Sequence, residues 1–352
     1  MAHHPPPPRP LVQGASAWIG AEIARHPEAW TYSLSATDLA EIAAAAEACR
    51  GRDIASITRA DFPLPRFGGT LLRLRDEILN GRGFVLLRGL PVEGRPIADS
   101  ATAYFGIGAH IGAARSQNAK GHVLGHVRDL GLATDDPAVR TYQTTERQHF
   151  HTDSCDIVGL LCLKTAKSGG MSSLTSSNTV YNVMAEQHPD LVRRLFQPFA
   201  TDRRGEIPEG KNPWFDMPVF NDHMGYLSAI YSRTYVRSAQ RFPEARRLSA
   251  EDLAALDCFD ALAEDAALRL DITFQPGDMQ FVHNHTILHD RTGFVDWPEP
   301  ERKRHLLRLW LAAPGARPLP PVYAERYGSL EVGDRGGIIC PGTKLHAPLE
   351  AV

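Results

Sequence analysis

Two side chains in the middle of the chain have the types and the spacing of a metal-binding pair. A single threonine separates His151 from Asp153. On a β-strand, side chains two residues apart point to the same face, so the imidazole and the carboxylate would converge on one point. Two histidines and one carboxylate, with the other positions of the ion open, form the ligand set of non-haem iron(II) oxygenases. Such a tripeptide often arises by chance, so the chemistry requires a third ligand elsewhere.

Three histidines in one downstream segment are candidates for that third ligand. The segment FVHNHTILHDR contains His283, His285 and His289. We interpret residues 279–289 as one strand, on which His283, His285 and Ile287 would share a face and His289 would lie near the end. Periodicity alone does not choose among the three histidines.

Two arginines are expected on one face of a later strand. Residues 304–312 are predicted to form a strand on which Arg304, Leu306, Arg308 and Trp310 share a face. Arginine is rarely buried without a partner. A buried dicarboxylate would be such a partner, because the planar guanidinium pairs with a carboxylate through two hydrogen bonds. Structural salt bridges are the alternative explanation of the two arginines.

The elements around these residues indicate a β-rich core with helices attached to it. Ser35 and Ser249 are each expected to cap a helix. Residues 157–163 form a nearly continuous apolar run, which is typical of a strand covered on both faces. Residues 201–225 are rich in Gly, Pro, Asn and Asp and are predicted to form a long, lid-like loop. Several short strands separated by turns favour a sandwich or barrel over a dinucleotide-binding fold, for which no G-x-G-x-x-G motif follows a strand.

The amino-acid composition argues against several classes of function and indicates a cellular compartment. The chain has 352 residues, of which 22% are charged, and a formal net charge of -3, with no long basic run that would favour nucleic acid. It contains no apolar run of 18 residues, so no membrane span is expected. Five cysteines without a Cys-x-x-Cys pair argue against a disulfide framework or a cysteine zinc site, and reduced thiols fit a cytoplasmic protein. A small-molecule ligand is expected, and a homo-oligomer stays open.

The domain organisation is predicted to be simple. Residues 1–15 include four consecutive prolines and are expected to form a flexible arm. Residues 16–352 are expected to form a single domain, because elaborated all-β barrels of this size occur as one domain.

Taken together, these residues resemble the TauD/TfdA-like (taurine dioxygenase) family of iron(II)- and 2-oxoglutarate-dependent dioxygenases. The matching segments are HFHTDSCDIVGLLCLKTAKSGGMSS, PGDMQFVHNHTILHDRTGF and RKRHLLRLWL. Their order is more specific than any one motif, and the matching region covers roughly residues 80–340. The resemblance implies a mainly β fold with flanking helices and a double-stranded β-helix core, which is a cupin-like jelly roll.

The resemblance also implies a role for each of the singled-out residues. His151, Asp153 and His289 would be the ligands of Fe(II). Arg304 and Ser172 would hold the far carboxylate of 2-oxoglutarate, which the enzyme would consume together with O2. The expected reaction is oxidation, foremost hydroxylation, of an unactivated C–H bond with release of succinate and carbon dioxide; desaturation or cyclisation stays open.

Arg308 matches an arginine that lies near the iron in this family. It would bind either the near carboxylate of 2-oxoglutarate or an anionic group of the substrate. The gap between His289 and Arg304 is a few residues longer than in the shortest members of the family. Whether Arg304 or Arg308 is the main anchor of the far carboxylate therefore stays open.

The substrate is expected to be a small metabolite, either anionic or amino-acid-like. Gln117, Asn118, Tyr142 and Asn284 lie close to the motifs and are candidates for substrate contacts, although each could be a structural hydrogen-bonding residue. The alternative function is a redox-silent metal-dependent hydrolase or isomerase on the same jelly-roll scaffold, since zinc can use the same three ligands. Such an enzyme would not need the arginine pair.

Overall fold

The computed structural model describes residues 8–132, 139–340 and 342–351. Its helices are α1 Gly20–Ile23, α2 Ala36–Ala48, α3 Phe67–Asn80, α4 Ile97–Ile111, α5 Ser177–Gln187, α6 Pro189–Arg194, α7 Arg233–Ala239, α8 Ala250–Glu264 and α9 Ala324–Tyr327.

The strands are β1 Thr31–Ser33, β2 Phe84–Arg88, β3 Ala113–Ala114, β4 Gly125–Val127, β5 Gln148–His151, β6 Ile157–Lys164, β7 Ser168–Gly169, β8 Ser172–Ser176, β9 Pro198–Asp202, β10 Trp214–Pro218, β11 Phe220–His223, β12 Tyr226–Ala229, β13 Arg269–Ile272, β14 Met279–His283, β15 Ile287–Arg291, β16 Phe294–Val295 and β17 His305–Ala312. Within the described residues, helices contain somewhat more residues than strands, so the expectation of a mainly β chain was too strong. The excess comes from the helices that cover the sheets.

Two sheets face each other across one apolar layer. The larger sheet has the strand order β1-β2-β14-β6-β17-β3, with β4 also beside β17, and the smaller sheet has the order β13-β8-β15-β5. Leu86 and Val158 from the larger sheet pack in the same buried cluster as Leu174 and Ile287 from the smaller sheet. Two sheets with a shared core form a sandwich, as the short strands and turns predicted.

Helices cover the outer faces of both sheets. Leu71 of α3 and Ile107 of α4 share a buried cluster with Phe281 and Leu309 of the larger sheet. Phe259 of α8 belongs to a second cluster that covers the smaller sheet. The predicted caps are confirmed, because Ser35 with Asp38 and Ser249 with Asp252 each form a complete capping box.

Two sequence-based predictions near the site were wrong. The segment 201–225 is not one long loop, because it contains β10 and β11, each of which pairs with an adjacent short strand. The expected strand 279–289 is broken at residues 284–286, and its two parts, β14 and β15, join different sheets. Antiparallel partners and a sheet change depend on distant segments, so the local pattern did not reveal them.

The start of the chain only partly fits the predicted arm. Residues 1–7 lie outside the described residues. The Tyr181 hydroxyl donates a hydrogen bond of 2.6 Å to the Arg9 carbonyl, and the backbone of Val12 exchanges two hydrogen bonds of 2.8 Å with the Asn182 side chain. Residues 9–12 are therefore held against α5.

Among the described residues, no helix is both long and apolar enough to cross a membrane. All five cysteines are free thiols.

Candidate metal centre

Two neighbouring strands of the smaller sheet bring three candidate ligands together. His289 on β15 is the direct register partner of His151 on β5. The His151 Nε2 atom lies 3.9 Å from Asp153 Oδ1, and the His289 Nε2 atom lies 3.8 Å from Asp153 Oδ2. The three ligand atoms lie within 4.8 Å of one another. One ion could therefore contact all three side chains.

Each imidazole presents its Nε2 atom to the other two residues. Burial, and then the neighbouring His151, lowers the pKa of His289 to about 3, so its ring is uncharged at neutral pH. The Nδ1–H group of His151 donates a hydrogen bond of 2.8 Å to the His149 carbonyl. That bond leaves the lone pair on His151 Nε2, the atom that faces the other two residues.

The backbone of Asp153 is positioned by contacts with distant segments and not by strand alternation. β5 ends at His151, and the Asp153 N–H group donates a hydrogen bond of 2.9 Å to Asn284 Oδ1. The Asn284 amide also donates to Cys155 Sγ at 3.1 Å, and the residue is fully buried. Asn284, a predicted substrate contact, therefore supports the Asp153 loop from behind and does not line the pocket.

The Asp153 carboxylate is held in its charged form by its surroundings. Burial acts to raise its pKa, but the positive charge of Arg308, the two histidines and a hydrogen bond from Trp310 outweigh burial, so the net pKa lies below its usual value. The Trp310 Nε1–H group donates to Asp153 Oδ2 at 2.9 Å, and Arg308 Nη1 lies 3.7 Å from the same oxygen. These two neighbours fix the orientation of the carboxylate.

The other two candidate histidines have partners of their own. The His283 Nδ1 atom lies 3.0 Å from the Thr286 hydroxyl, within the turn that connects β14 to β15. The His285 Nε2 atom lies 3.0 Å from Asp156 Oδ1. Neither belongs to the group of three.

A buried cationic site lies at the start of β17. Arg304 is 4% exposed, burial lowers its pKa to about 10, and its Nη1 has no hydrogen-bond partner among the described residues. No carboxylate of the described chain lies within 4.0 Å of this guanidinium. The Ser172 hydroxyl donates to Gln280 Oε1 at 3.0 Å, and the Gln280 Nε2 atom has no partner either. Buried donors without acceptors are costly, so this site is built to receive an oxygen-rich anion.

A glycine shapes this cationic site. Gly170 has a φ of +69°, and a Cβ atom there would lie 2.9 Å from Arg304 Nε. A side chain at this position would both strain the backbone and press against the guanidinium.

Two residues of the cationic site were missed by the sequence analysis. Burial, and then the charge of Arg304, lowers the pKa of Arg291 to about 9. Its guanidinium donates to the carbonyls of Thr144 and Thr141 at 3.0 and 3.3 Å, which ties the segment before β5 to β15. Gln280 could have been found, because it is a polar residue flanked by apolar ones in a strand that is buried throughout.

An open pocket, with about 910 Å³ of empty space including its solvent-filled mouth, is lined by two of the three candidate ligands, His151 and Asp153. Arg308 lines it, and its Nε donates to Gln117 Oε1 at 2.7 Å while its guanidinium lies 4.6 Å from the Tyr142 ring centroid. Gln117 and Tyr142 both line the pocket, and their role as substrate contacts stays a prediction. Asn118 does not line this pocket: its Oδ1 accepts hydrogen bonds from the Lys120 and His122 backbone within a turn, and it lines a smaller neighbouring pocket.

Comparisons with known proteins agree with this arrangement. The model of the family described as "Taurine catabolism dioxygenase TauD, TfdA family" matches residues 50–310. FR-33289 synthase of Streptomyces rubellomurinus is 33% identical over 315 residues, which cover 88% of this chain and 92% of the relative.

Two solved structures share the fold. A structure of asparagine oxygenase in complex with Fe(II), 2S,3S-3-hydroxyasparagine and succinate matches with a TM-score of 0.62 and 16% identity, over 80% of this chain and 93% of the other. A structure of the non-heme iron oxygenase OrfP in complex with Fe and alpha-ketoglutaric acid matches with a TM-score of 0.59 and 14% identity, over the same shares of the two chains. The fold is therefore the cupin-like jelly roll of iron- and 2-oxoglutarate-dependent oxygenases.

Proposed function

The chain belongs to the TauD/TfdA family and is an iron(II)- and 2-oxoglutarate-dependent dioxygenase, and on this premise we propose how its own residues perform the reaction. His151, Asp153 and His289 bind the iron. The observation that carries this assignment is the group of two histidines and one carboxylate whose ligand atoms lie within 4.8 Å of one another. This donor set fits iron(II), because a carboxylate and two imidazoles leave the remaining positions of the ion open.

The cationic site at the start of β17 is proposed to hold 2-oxoglutarate. The free Nη1 of Arg304 and the Ser172 hydroxyl would bind the far carboxylate, and Gln280 Nε2 is a further donor beside Ser172. This proposal favours Arg304 over Arg308 as the main anchor. Arg304 has no carboxylate partner in the described chain, whereas Arg308 already lies 3.7 Å from Asp153.

Arg308 is proposed to act closer to the iron. Its Nη1 neighbours the Asp153 carboxylate, and its Nε is fixed by Gln117. From this position it would bind the near carboxylate of 2-oxoglutarate or an anionic group of the substrate. Tyr142, stacked against the guanidinium, would form part of the wall that orients the substrate and limits access of water.

The reaction proposed is hydroxylation of a small, anionic or amino-acid-like metabolite. Bound iron(II) and 2-oxoglutarate supply the activation of O2, and succinate and carbon dioxide are released. The chain itself binds the co-substrate through Arg304, keeps Asp153 charged and places the target carbon in the pocket beside the ligands.

The two facing sheets are proposed to form a double-stranded β-helix within a single domain from residue 16 onward. The support is that strands close in sequence alternate between the sheets: β5 and β8 lie in the smaller one, and β6 lies in the larger one. The separation of β14 from β15 at residues 284–286 continues that alternation.

Anaerobic titration of iron(II) and 2-oxoglutarate into the metal-free protein tests these assignments. We expect a weak visible band at about 500–530 nm, which is typical of an iron(II) chelate of a 2-oxo acid. His289→Ala should abolish the band. His26→Ala is the matched control, because this side chain is 69% exposed, pairs with Glu28 at 3.3 Å and lies outside the pocket wall.

The result also separates the dioxygenase from a redox-silent enzyme on the same scaffold. A hydrolase or isomerase would bind a divalent metal through the same residues but would show no band and release no succinate. A well-folded wild-type protein without the band would therefore contradict the proposed roles. A band that persists in His289→Ala would contradict the assignment of that ligand.

A further inference from the structure

The pocket that leads to the candidate ligands is strongly cationic. Among the described residues, its wall includes six arginines and two carboxylates, Asp153 and Glu206. The arginines are Arg140, Arg147, Arg204, Arg233, Arg308 and Arg326.

Four of these arginines are already neutralised by a carboxylate within 4.0 Å. The pairs are Arg140 with Glu206, Arg147 with Glu264 and Asp290, Arg233 with Asp257 and Asp260, and Arg308 with Asp153. Among the described residues, Arg204 and Arg326 have no such partner. Two unpaired cations in one pocket indicate a ligand that supplies negative charge.

Arg204 is held in a strained position on the pocket wall. Its φ is +54°, which is uncommon for a residue other than glycine, and the Asp202 carboxylate accepts a hydrogen bond of 2.7 Å from its backbone N–H group. Strain of this kind persists only when the surroundings impose it, and it is frequent at binding sites. Arg204 is one of the residues that line the pocket.

The Arg204 guanidinium is only partly satisfied by the protein. Its Nη2 donates to the Val139 carbonyl at 3.3 Å and its Nη1 to the Ser238 hydroxyl at 3.5 Å, whereas its buried Nε has no partner among the described residues. The group lies 5.8 Å from the Tyr235 ring centroid, beside Arg140. Burial, and then the like charge of Arg140, lowers the pKa of Arg204.

Arg326 of α9 is the second unpaired cation. Its Nε donates to the Ser154 hydroxyl at 2.7 Å, and Ser154 follows directly after Asp153 in the chain. The guanidinium lies 5.8 Å from the Phe215 ring centroid. Among the described residues, its terminal nitrogens have no hydrogen-bond partner, so they remain available to a ligand in the same pocket.

We propose that Arg204 binds an oxyanion group of the primary substrate, with Arg326 as the second cation of the pocket. The substrate class is a small metabolite that carries a carboxylate or a phosphate-like group apart from the carbon that reacts. The inference rests on the proposed function in one respect, namely that this pocket is where the substrate binds. The anion site is separate from the 2-oxoglutarate site at Arg304.

Calorimetric titration of inorganic phosphate, and separately of acetate, into the protein loaded anaerobically with iron(II) and 2-oxoglutarate tests the proposal. The bound co-substrate blocks the Arg304 site, so the titration reports the second anion site. We expect saturable binding of at least one probe, weakened about tenfold or more by Arg204→Gln and several-fold by Arg326→Gln. Tighter binding of phosphate would identify a phosphate-like substrate group, and tighter binding of acetate would identify a carboxylate.

Two control variants distinguish an anion site from a structural role. Arg237→Gln removes the same charge from an exposed position on α7 outside the pocket wall and should bind the probe like the wild type. Arg204→Lys keeps the charge and should retain more affinity than Arg204→Gln. A purely structural role would lower the melting temperature of Arg204→Gln without changing the affinity of the folded protein.

The outcomes also separate this proposal from the proposed function. Loss of probe binding in Arg204→Gln with an unchanged iron–2-oxoglutarate band supports both. If the wild type shows no band, the proposed iron and co-substrate roles fail; probe binding to the metal-free protein that is lost in Arg204→Gln would still support the anion site. Two results would overturn the proposed anion site. Either the wild-type protein binds neither probe, or Arg204→Gln binds the probe as the wild type does.

Discussion

The two faces of strand β17 are equally buried but carry opposite chemistry. All eight residues of the strand are buried. On one face, Leu307, Leu309 and Leu311 join the apolar cluster beneath α3 and α4. On the other face, Leu306 and Trp310 flank Arg308, and Arg304 lies just before the strand begins.

The apolar face of β17 contributes to the stability of the fold, whereas the opposite face carries groups that are proposed to bind ligands. Apolar side chains on the helix-covered face gain free energy from burial. The guanidiniums on the opposite face lose hydration, and Arg304 regains no carboxylate from the described chain. Under the proposed function, the far carboxylate of 2-oxoglutarate is the partner that offsets the burial of this cation.

Replacement of Arg304 by leucine should produce the largest effect. It should weaken ligand binding without lowering the stability of the fold. Arg304→Leu removes the proposed anchor, so the affinity for 2-oxoglutarate should fall by about 2–5 kcal/mol, or roughly 30-fold to several-thousand-fold. The unfolding free energy should stay constant or rise, because an unpaired buried charge is removed. Calorimetry with 2-oxoglutarate and urea unfolding measure the two quantities. The control is Arg302→Leu, since Arg302 is 50% exposed; equal losses in both variants would contradict the proposed anchor.

Replacement of Leu309 by alanine tests the apolar face of the same strand. Leu309 is fully buried, so Leu309→Ala should lower the unfolding free energy by about 2–5 kcal/mol through lost contacts and a cavity. The folded protein should bind iron(II) and 2-oxoglutarate as the wild type does. Urea unfolding and the visible band measure the two effects. A large loss of co-substrate affinity without a loss of stability would show that the two faces are not separable in this way.

Replacement of Trp310 by phenylalanine removes one hydrogen bond while keeping most of the apolar volume. The Trp310 indole donates to Asp153 Oδ2 at 2.9 Å. Trp310→Phe should weaken iron(II) binding by about 10–100-fold, because partners of metal ligands hold the ligands in orientation. Competition with a metal chelator measures the affinity. An unchanged iron affinity would mean that the hydrogen bond does not orient the carboxylate.

The smallest predicted effect is a dependence of the unfolding free energy on pH. It should arise at His305, the first residue of β17. His305 Nε2 lies 2.7 Å from His126 Nδ1, and burial, followed by the neighbouring His126, lowers the pKa of His305 to about 3. Below its ordinary pKa the unfolded state binds more protons than the folded state, so stability is present above about pH 6.5 and is lost as the pH falls. The loss contributed by His305 should be about 1 kcal/mol per pH unit.

Urea unfolding between about pH 5 and pH 7 measures this dependence. His305→Gln keeps a side-chain donor beside His126 but removes one titrating group, so its stability should vary less with pH than that of the wild type. An equal slope in both proteins would place the pH dependence elsewhere. The visible band, recorded at one pH, should be the same in both.

Local sequence patterns predicted the elements but not their partners. The period of two along residues 304–312 predicted that Arg304 and Arg308 share a face. The structure confirms the alternation from Leu306 to Leu311, whereas Arg304 lies before the strand and the register shifts between His305 and Leu306. The caps at Ser35 and Ser249 were equally local and were also predicted. The division of 279–289 between two sheets was not, because it depends on which distant strands pair with each half.

For the candidate site as well, the sequence predicted some features, and only the tertiary structure decided others. The types and order of His151, Asp153, His289 and Arg304, through their resemblance to a known family, determined the reaction class and the proposed cofactors. The tertiary structure assigned His285 to Asp156, placed Asn284 behind Asp153 and left Arg204 without a carboxylate among the described residues. The first two of these features are contacts between segments more than a hundred positions apart. Asp153 and Asn284, for example, are separated by 131 positions. Periodicity describes only the face on which a side chain lies. Which groups meet across the interior depends on the packing of the sheets, and that packing decided which charges are paired and which are free to bind a ligand.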